Sequence, residues 1–213
     1  MQKSLTIREL KFGVNHASVA QSMSGLADIL QMKGDFIESL RLHKHALQIR
    51  QQFPEFSIRE IGQSYYCLGM NAFLRKDYTE AKSYFDKSLE IRESLRQKIQ
   101  VGAHISVIET NIAIGRLLIE QGQHDQGIPL LEESNKVMQK IFDKDDHPLM
   151  AESLMSIASA MESKVSYLLL LLLVSITLLI IICYRVELTM RMSARKRPIL
   201  LEETMGLSLN LLN

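Results

Sequence analysis

The chain has 213 residues, 46% of them hydrophobic, and a formal net charge of +1. That near-neutral balance argues against nucleic acid or another polyanion as partner, and the length allows one ordinary domain with an appendage. Two cysteines in unlike settings define neither a disulfide framework nor a metal site, and ten glycines, four prolines and no tryptophan fit long helices with short turns better than sheets.

The N-terminal segment MQKSLTIREL has no apolar h-region, so no secretory signal is read there. It belongs instead to a repeat. Lys3-Ser-Leu-Thr-Ile-Arg-Glu9 returns as Lys87-Ser-Leu-Glu-Ile-Arg-Glu93, with His45-Ala-Leu-Gln-Ile-Arg-Gln51 midway. Ser4, Ala46 and Ser88 are therefore equivalent small residues at a 42-residue period. Residues 1–15 read as the closing half-helix of a partial repeat, and the start is expected to be truncated.

Repeat 1 is expected over 16–57, with helices over 18–33 and 36–52 and the turn glycine Gly34 between them. Pro54 marks the stop after the second helix. Repeat 2, over 58–103, opens its first helix near Arg59 and its second at Tyr78. Tyr65, Leu68, Gly69 and Ala72 share one helical face, as do Tyr78, Ala81, Phe85, Ser88 and Leu89. Repeat 3 covers 104–146, with helices over 105–121 and 124–142 carrying Ile114, Gly115, Leu118, Gly122, Gly127, Leu131 and Ser134 at the equivalent places. Residues 147–164 read as the first helix of a fourth repeat.

There the pattern breaks. Residues 165–184, VSYLLLLLLVSITLLIIICY, are uncharged and lack the polar face an outer repeat helix needs. Twenty residues at 1.5 Å each span a bilayer core of roughly 30 Å. Fourteen Leu, Ile and Val give an insertion tendency on the order of −6 kcal/mol. A single-pass transmembrane helix is expected; an unusually greasy buried helix and a read-through intron are the alternatives. Arg185, Arg191, Arg195, Lys196 and Arg197 make 185–213 a basic juxtamembrane segment with a loose tail. The charge rule places that tail in the cytosol. The absence of a signal peptide favours the opposite, tail-anchored arrangement with the repeats in the cytosol.

The paired helices, the small and large residues at fixed places and the repeat period resemble tetratricopeptide repeats. The 42-residue spacing, the His before the first helix (His16, His104, His147) and the Ala/Ser-Leu-x-Ile-Arg ending the second resemble those of kinesin light chains and nephrocystin-type proteins. The resemblance implies an all-α solenoid over about residues 1–164 that binds peptides or proteins and carries no chemistry of its own. Kinesin light chains usually place Asn midway along the first helix to hold a cargo backbone. Gly25, Cys67, Ala113 and Ser156 stand there instead, and no heptad coiled coil is present.

No catalytic or cofactor constellation is read. His43 and His45, two apart on a helix, diverge and are expected to be solvated. Asp143, Asp145 and Asp146 lack the glycine and closing glutamate of a calcium loop. The three repeat histidines read as turn residues bonding the next helix, with a pH sensor as the sharper alternative. Cys67 reads as a small packing residue. A candidate peptide groove remains on the concave side: Tyr66, Met70, Phe73 and Ile112 as an apolar floor, with Asp28, Gln63, Glu109 and Arg116 around it. Ser24, Asp28, Glu109 and Ala113 do not supply the Lys, Asn and Arg of a chaperone-tail clamp. The function expected is a non-enzymatic scaffold for protein or peptide partners, held at a membrane by 165–184, with neither nucleic acid nor a small-molecule substrate. The alternative is a piece of a larger regulatory, sensor or motor-adaptor protein, such as a kinesin-light-chain-like cargo binder or an ATPase with C-terminal repeats.

Overall fold

A computed structural model describes residues 2–99, 105–142 and 147–209, with side chains for all of these but 55, 56, 99 and 188–209. Every element among the described residues is an α-helix: α1 (Gln2–Phe12), α2 (Ala17–Met32), α3 (Phe36–Gln51), α4 (Pro54–Leu74), α5 (Tyr78–Ile99), α6 (Ile105–Glu120), α7 (His124–Ile141) and α8 (Pro148–Leu209). The chain divides into two compact units, Met1–Ala160 and Met161–Asn213.

In the first unit, α2–α3, α4–α5 and α6–α7 are the three helix pairs of an α-solenoid, and each pair packs on the next. The turns repeat in chemistry as well as in position. Backbone bonds from Asp35 to Leu30, Asp77 to Ala72 and Gln123 to Leu118 close each first helix in the same six-to-one manner. That closure needs a left-handed residue, supplied by Gly34 (φ +85°), Lys76 (φ +63°) and Gly122 (φ +76°). Asp35 and Asp77 then cap the following helix, accepting from the Glu38 and Glu80 amides at 3.2 and 3.1 Å. His16 and His147 act as expected of turn residues. Their Nδ1 atoms accept from the Ser18 and Leu149 amides, each at 3.2 Å, and their rings stack on Phe12 and Phe142. His104 and Asp143, Asp145 and Asp146 lie outside the described residues.

Small residues let the paired helices approach. A Cβ added at Gly69 falls 2.5 Å from the Phe85 ring, and one at Gly115 falls 2.7 Å from Leu131. Phe85 and Leu131 are fully buried, and taking each side chain out of water contributes on the order of 2 kcal/mol. Between pairs, the repeated Ile-Arg supplies a latch. Arg8 donates to the Ser18 carbonyl, Arg50 to the Ser64 hydroxyl, and Arg92 to the Ser106 carbonyl and Thr110 hydroxyl. The guanidinium has five donors and a long apolar stem, so it reaches the next pair and satisfies polar atoms there.

Three helix-level expectations are corrected. α4 opens at Pro54, five residues before Arg59, with the proline at the first helical position where its missing N–H costs nothing. His43 is 1% exposed where a solvated residue was expected. Two-residue spacing does separate His43 from the half-buried His45, but that separation turns His43 inward. The tail expected to be loose over 198–213 is helical to Leu209, through a stretch rich in Leu, Glu and Met.

In the second unit, α8 contributes an apolar cylinder. Leu168, Leu172, Leu179, Ile180 and Ile182 are all more than half exposed. Pro148–Glu187 is long and apolar enough to cross a membrane by length and composition, and none of its most apolar window is buried.

Candidate functional site

Helices α2, α4 and α6 are the first members of their pairs, and α4 packs against both of the others. Along α4 the four-residue spacing of Tyr66 and Met70, followed by Phe73, puts three large side chains on one face. All three are partly buried against a cluster of Ala72, Ala81, Phe85, Ala113 and Leu117. Tyr66 leans on Phe85 with ring centroids 5.9 Å apart, and Phe73 on Tyr78 at 6.0 Å.

Each aromatic carries a cation. Arg92 of α5 lies 4.8 Å from the Tyr66 ring centre and Arg116 of α6 lies 5.5 Å from that of Phe73. Arg92 also donates to Gln63 and pairs with Glu109 at 3.0 Å, so Gln63, Tyr66 and Glu109 are gathered around one buried guanidinium. Burial pushes the Tyr66 hydroxyl well above the usual phenol range, keeping it a neutral donor. Arg116 pairs at 3.0 Å with Glu152 at the start of α8. Beside that pair a groove of about 460 Å³ is lined by Phe73, Arg116, Ile119, Glu120, Glu152, Met155, Ser156 and Ser159. It offers an aromatic face, a flexible thioether and charges of both signs.

Of the eight residues expected in the groove, Tyr66, Met70 and Phe73 share one apolar patch, and Gln63, Glu109 and Arg116 border it through Arg92 and Phe73. Ile112 is a correction. It is 1% exposed and belongs to the core formed with Ile108, Leu131 and Met138, because its own pair partner α7 and the start of α8 cover that side of α6. Asp28 stands apart, with its Oδ1 3.4 Å from the buried His43 Nε2. Cys67 joins them, and one ligand atom from each of the three lies within 4.8 Å of the others. Burial pushes the Cys67 thiol up to about 12 and drives His43 down to about 4, with Arg50 lowering His43 further. Asp28 is raised by burial.

Sequence reasoning missed Arg92, although its signal was the Ile-Arg already seen at Arg8, Arg50 and Arg92. It also missed Glu152 and Met155, whose register on α8 follows the same first-helix face.

Comparison with known proteins fits this geometry. Two family models, each described as tetratricopeptide repeat, match residues 1–52 and 62–96. Among solved structures, the nearly identical TPR-like repeats of a Podosopora anserina protein assigned as a kinesin light chain superpose with a TM-score of 0.57 at 18% identity. The match covers 78% of this chain and 76% of that one. A single-substitution variant of the same protein gives 0.58, with the same identity and coverage. BtubC (BKLC) from P. vanneervenii gives 0.57 at 14% identity, covering 69% of this chain and 57% of that one. No curated protein matches the chain. Residues 1–52 and 62–96 of the chain are matched as tetratricopeptide repeats. The likeness to the kinesin light chain repeats, at 18% identity or less, is one of fold.

Proposed function

We propose that this protein is a non-enzymatic scaffold whose first helices receive a peptide or protein segment, and that residues 165–184 anchor it to a membrane. The observation that carries the first part is the groove beside Phe73, bounded by Arg116 and Glu152 and floored by apolar side chains. Tyr66, Met70 and Phe73 extend that surface along α4. A segment with one large apolar anchor and neighbouring charges of both signs fits it, since an apolar anchor gives affinity and the flanking charges give register.

The anchor rests on the twenty uncharged residues and their outward-facing side chains. In water an apolar cylinder of this kind exposes a patch far larger than soluble monomers show. In hydrocarbon it satisfies every backbone group internally. The repeats are proposed to lie in the cytosol.

Two measurements test the two parts separately. Peptides selected from a displayed library on the full chain in nanodiscs are mapped by hydrogen exchange, and protection centred on α4 and α6 supports the groove. Protection confined to α3, α5 and α7 rejects it. Membranes from expressing cells are extracted with alkaline carbonate: retention supports the anchor, and release into the soluble fraction rejects it.

A further inference from the structure

Three departures from the repeat pattern meet at one point. By the 42-residue period, His43 occupies the place of Phe85, and Leu131 fills the same place in the third pair, 46 residues after Phe85. Those two are fully buried hydrocarbon side chains. His43 is as deeply buried, and neither of its ring nitrogens has a hydrogen-bond partner. By the same registers Asp28 replaces Met70 and Arg116, and Cys67 replaces Gly25 and Ala113. A buried polar group left unpaired costs about 1–3 kcal/mol, which hydrocarbon at that place avoids.

We propose that Asp28, His43 and Cys67 form a binding site for a divalent transition-metal ion of zinc-like preference. The ligand set is one thiolate, one imidazole and one carboxylate, a combination suited to tetrahedral zinc and unsuited to magnesium or calcium, which take oxygen. The geometry is close to what such an ion needs. Two ligands about 2.0–2.1 Å from a tetrahedral ion stand about 3.3 Å from one another. The His43 Nε2 to Asp28 Oδ1 separation is 3.4 Å. With all three ligand atoms within 4.8 Å of one another, the sulfur closes the site by a shift on the order of 1 Å. Asp28 is exposed, which leaves water access to a fourth position.

Arg50 is the charged neighbour. Burial raises the Asp28 carboxyl and the Cys67 thiol and keeps His43 neutral, Arg50 opposes the first two shifts, and the ion must therefore displace the thiol proton. Binding takes the thiol proton into solvent; the ion's two positive charges then face two negative ligands, and no electron is transferred. The ligands come from α2, α3 and α4, so the ion ties the first helix pair to the second.

The test is titration of the full chain, in detergent and free of metal, with Co²⁺, followed by competition with Zn²⁺. The expected result is one ion per chain, with a sulfur-to-cobalt charge-transfer band and the visible bands of a tetrahedral ion. Cys67→Ser abolishes the charge-transfer band, and Cys67→Ser and Asp28→Asn each weaken binding about tenfold or more, since even loss of an outer-shell partner costs that much. His43→Gln does the same where it folds; Asp28 is exposed, so its variant keeps the comparison open if His43→Gln does not. Absence of stoichiometric binding, a spectrum without thiolate character, or binding unchanged by Cys67→Ser and Asp28→Asn overturns the site.

Discussion

Arg92 of α5 and Glu109 of α6 form an ion pair at 3.0 Å across two successive helix pairs, with the arginine side chain 4% exposed. The same guanidinium bonds Gln63, Ser106 and Thr110 and covers Tyr66. One side chain therefore joins the solenoid's interior to the surface proposed to bind a partner. Replacing Arg92 with Met keeps the stem and removes every donor, leaving the Ser106 carbonyl and Glu109 without this bond. The expected loss is about 3 kcal/mol, in the range for breaking a buried pair from one side, measured by urea unfolding followed through helical circular dichroism. Arg96→Met is the control: it breaks a partly exposed pair within α5 and is expected to change stability by under about 1 kcal/mol.

Gly69 faces Phe85 too closely for any side chain. Gly69→Ala is expected to destabilise by about 1–3 kcal/mol through overpacking, despite alanine's better helix propensity. Adding Phe85→Ala, which removes the ring, is expected to give a double variant that loses less than the sum of the two single losses. Additive effects in the double-mutant cycle contradict the contact.

His43 gives a signed dependence on pH in protein stripped of metal. The unfolded chain takes up a proton near pH 6.5, and the folded one only near 4. Stability is therefore level above about pH 6.5, falls as the pH drops toward 4, and levels off below it. The shift of roughly 2.5 units corresponds to about 3 kcal/mol. The groups facing His43 are Asp28 from α2, Arg50 from its own helix and Cys67 from α4. His43→Leu is expected to flatten this slope and to raise stability near neutral pH by about 1–2 kcal/mol, because an unpaired polar ring leaves the core. Equal acid sensitivity in both proteins contradicts the assignment.

Much of this arrangement was legible in the sequence because repeats supply their own alignment. Ser4, Ala46 and Ser88 set the period, Gly34 marked a turn, and the caps at Asp35 and Asp77 formed at the equivalent places after it. What was not legible depended on neighbours distant in the chain. Ile112 resembled a surface residue, but α7 and the start of α8 cover it. His43 resembled half of a solvated pair because the two-residue spacing says that two side chains diverge, not which one turns inward. The α4 start was misplaced because a proline ends one helix and begins the next with equal ease. Arg92 was visible as a repeated letter, but its reach of one whole helix pair is a tertiary fact.

The central claim is that the Phe73–Arg116 groove receives a partner segment. The direct measurement is fluorescence anisotropy of a library-selected peptide against the full chain in nanodiscs, wild type beside Phe73→Ala and Arg116→Glu. Removing the apolar anchor surface is expected to weaken binding by about 2 kcal/mol, or roughly thirtyfold in Kd. Arg116→Glu is expected to weaken acidic peptides and spare basic ones, with helical circular dichroism unchanged. Wild-type affinity in both variants, with the peptide still bound, contradicts the account.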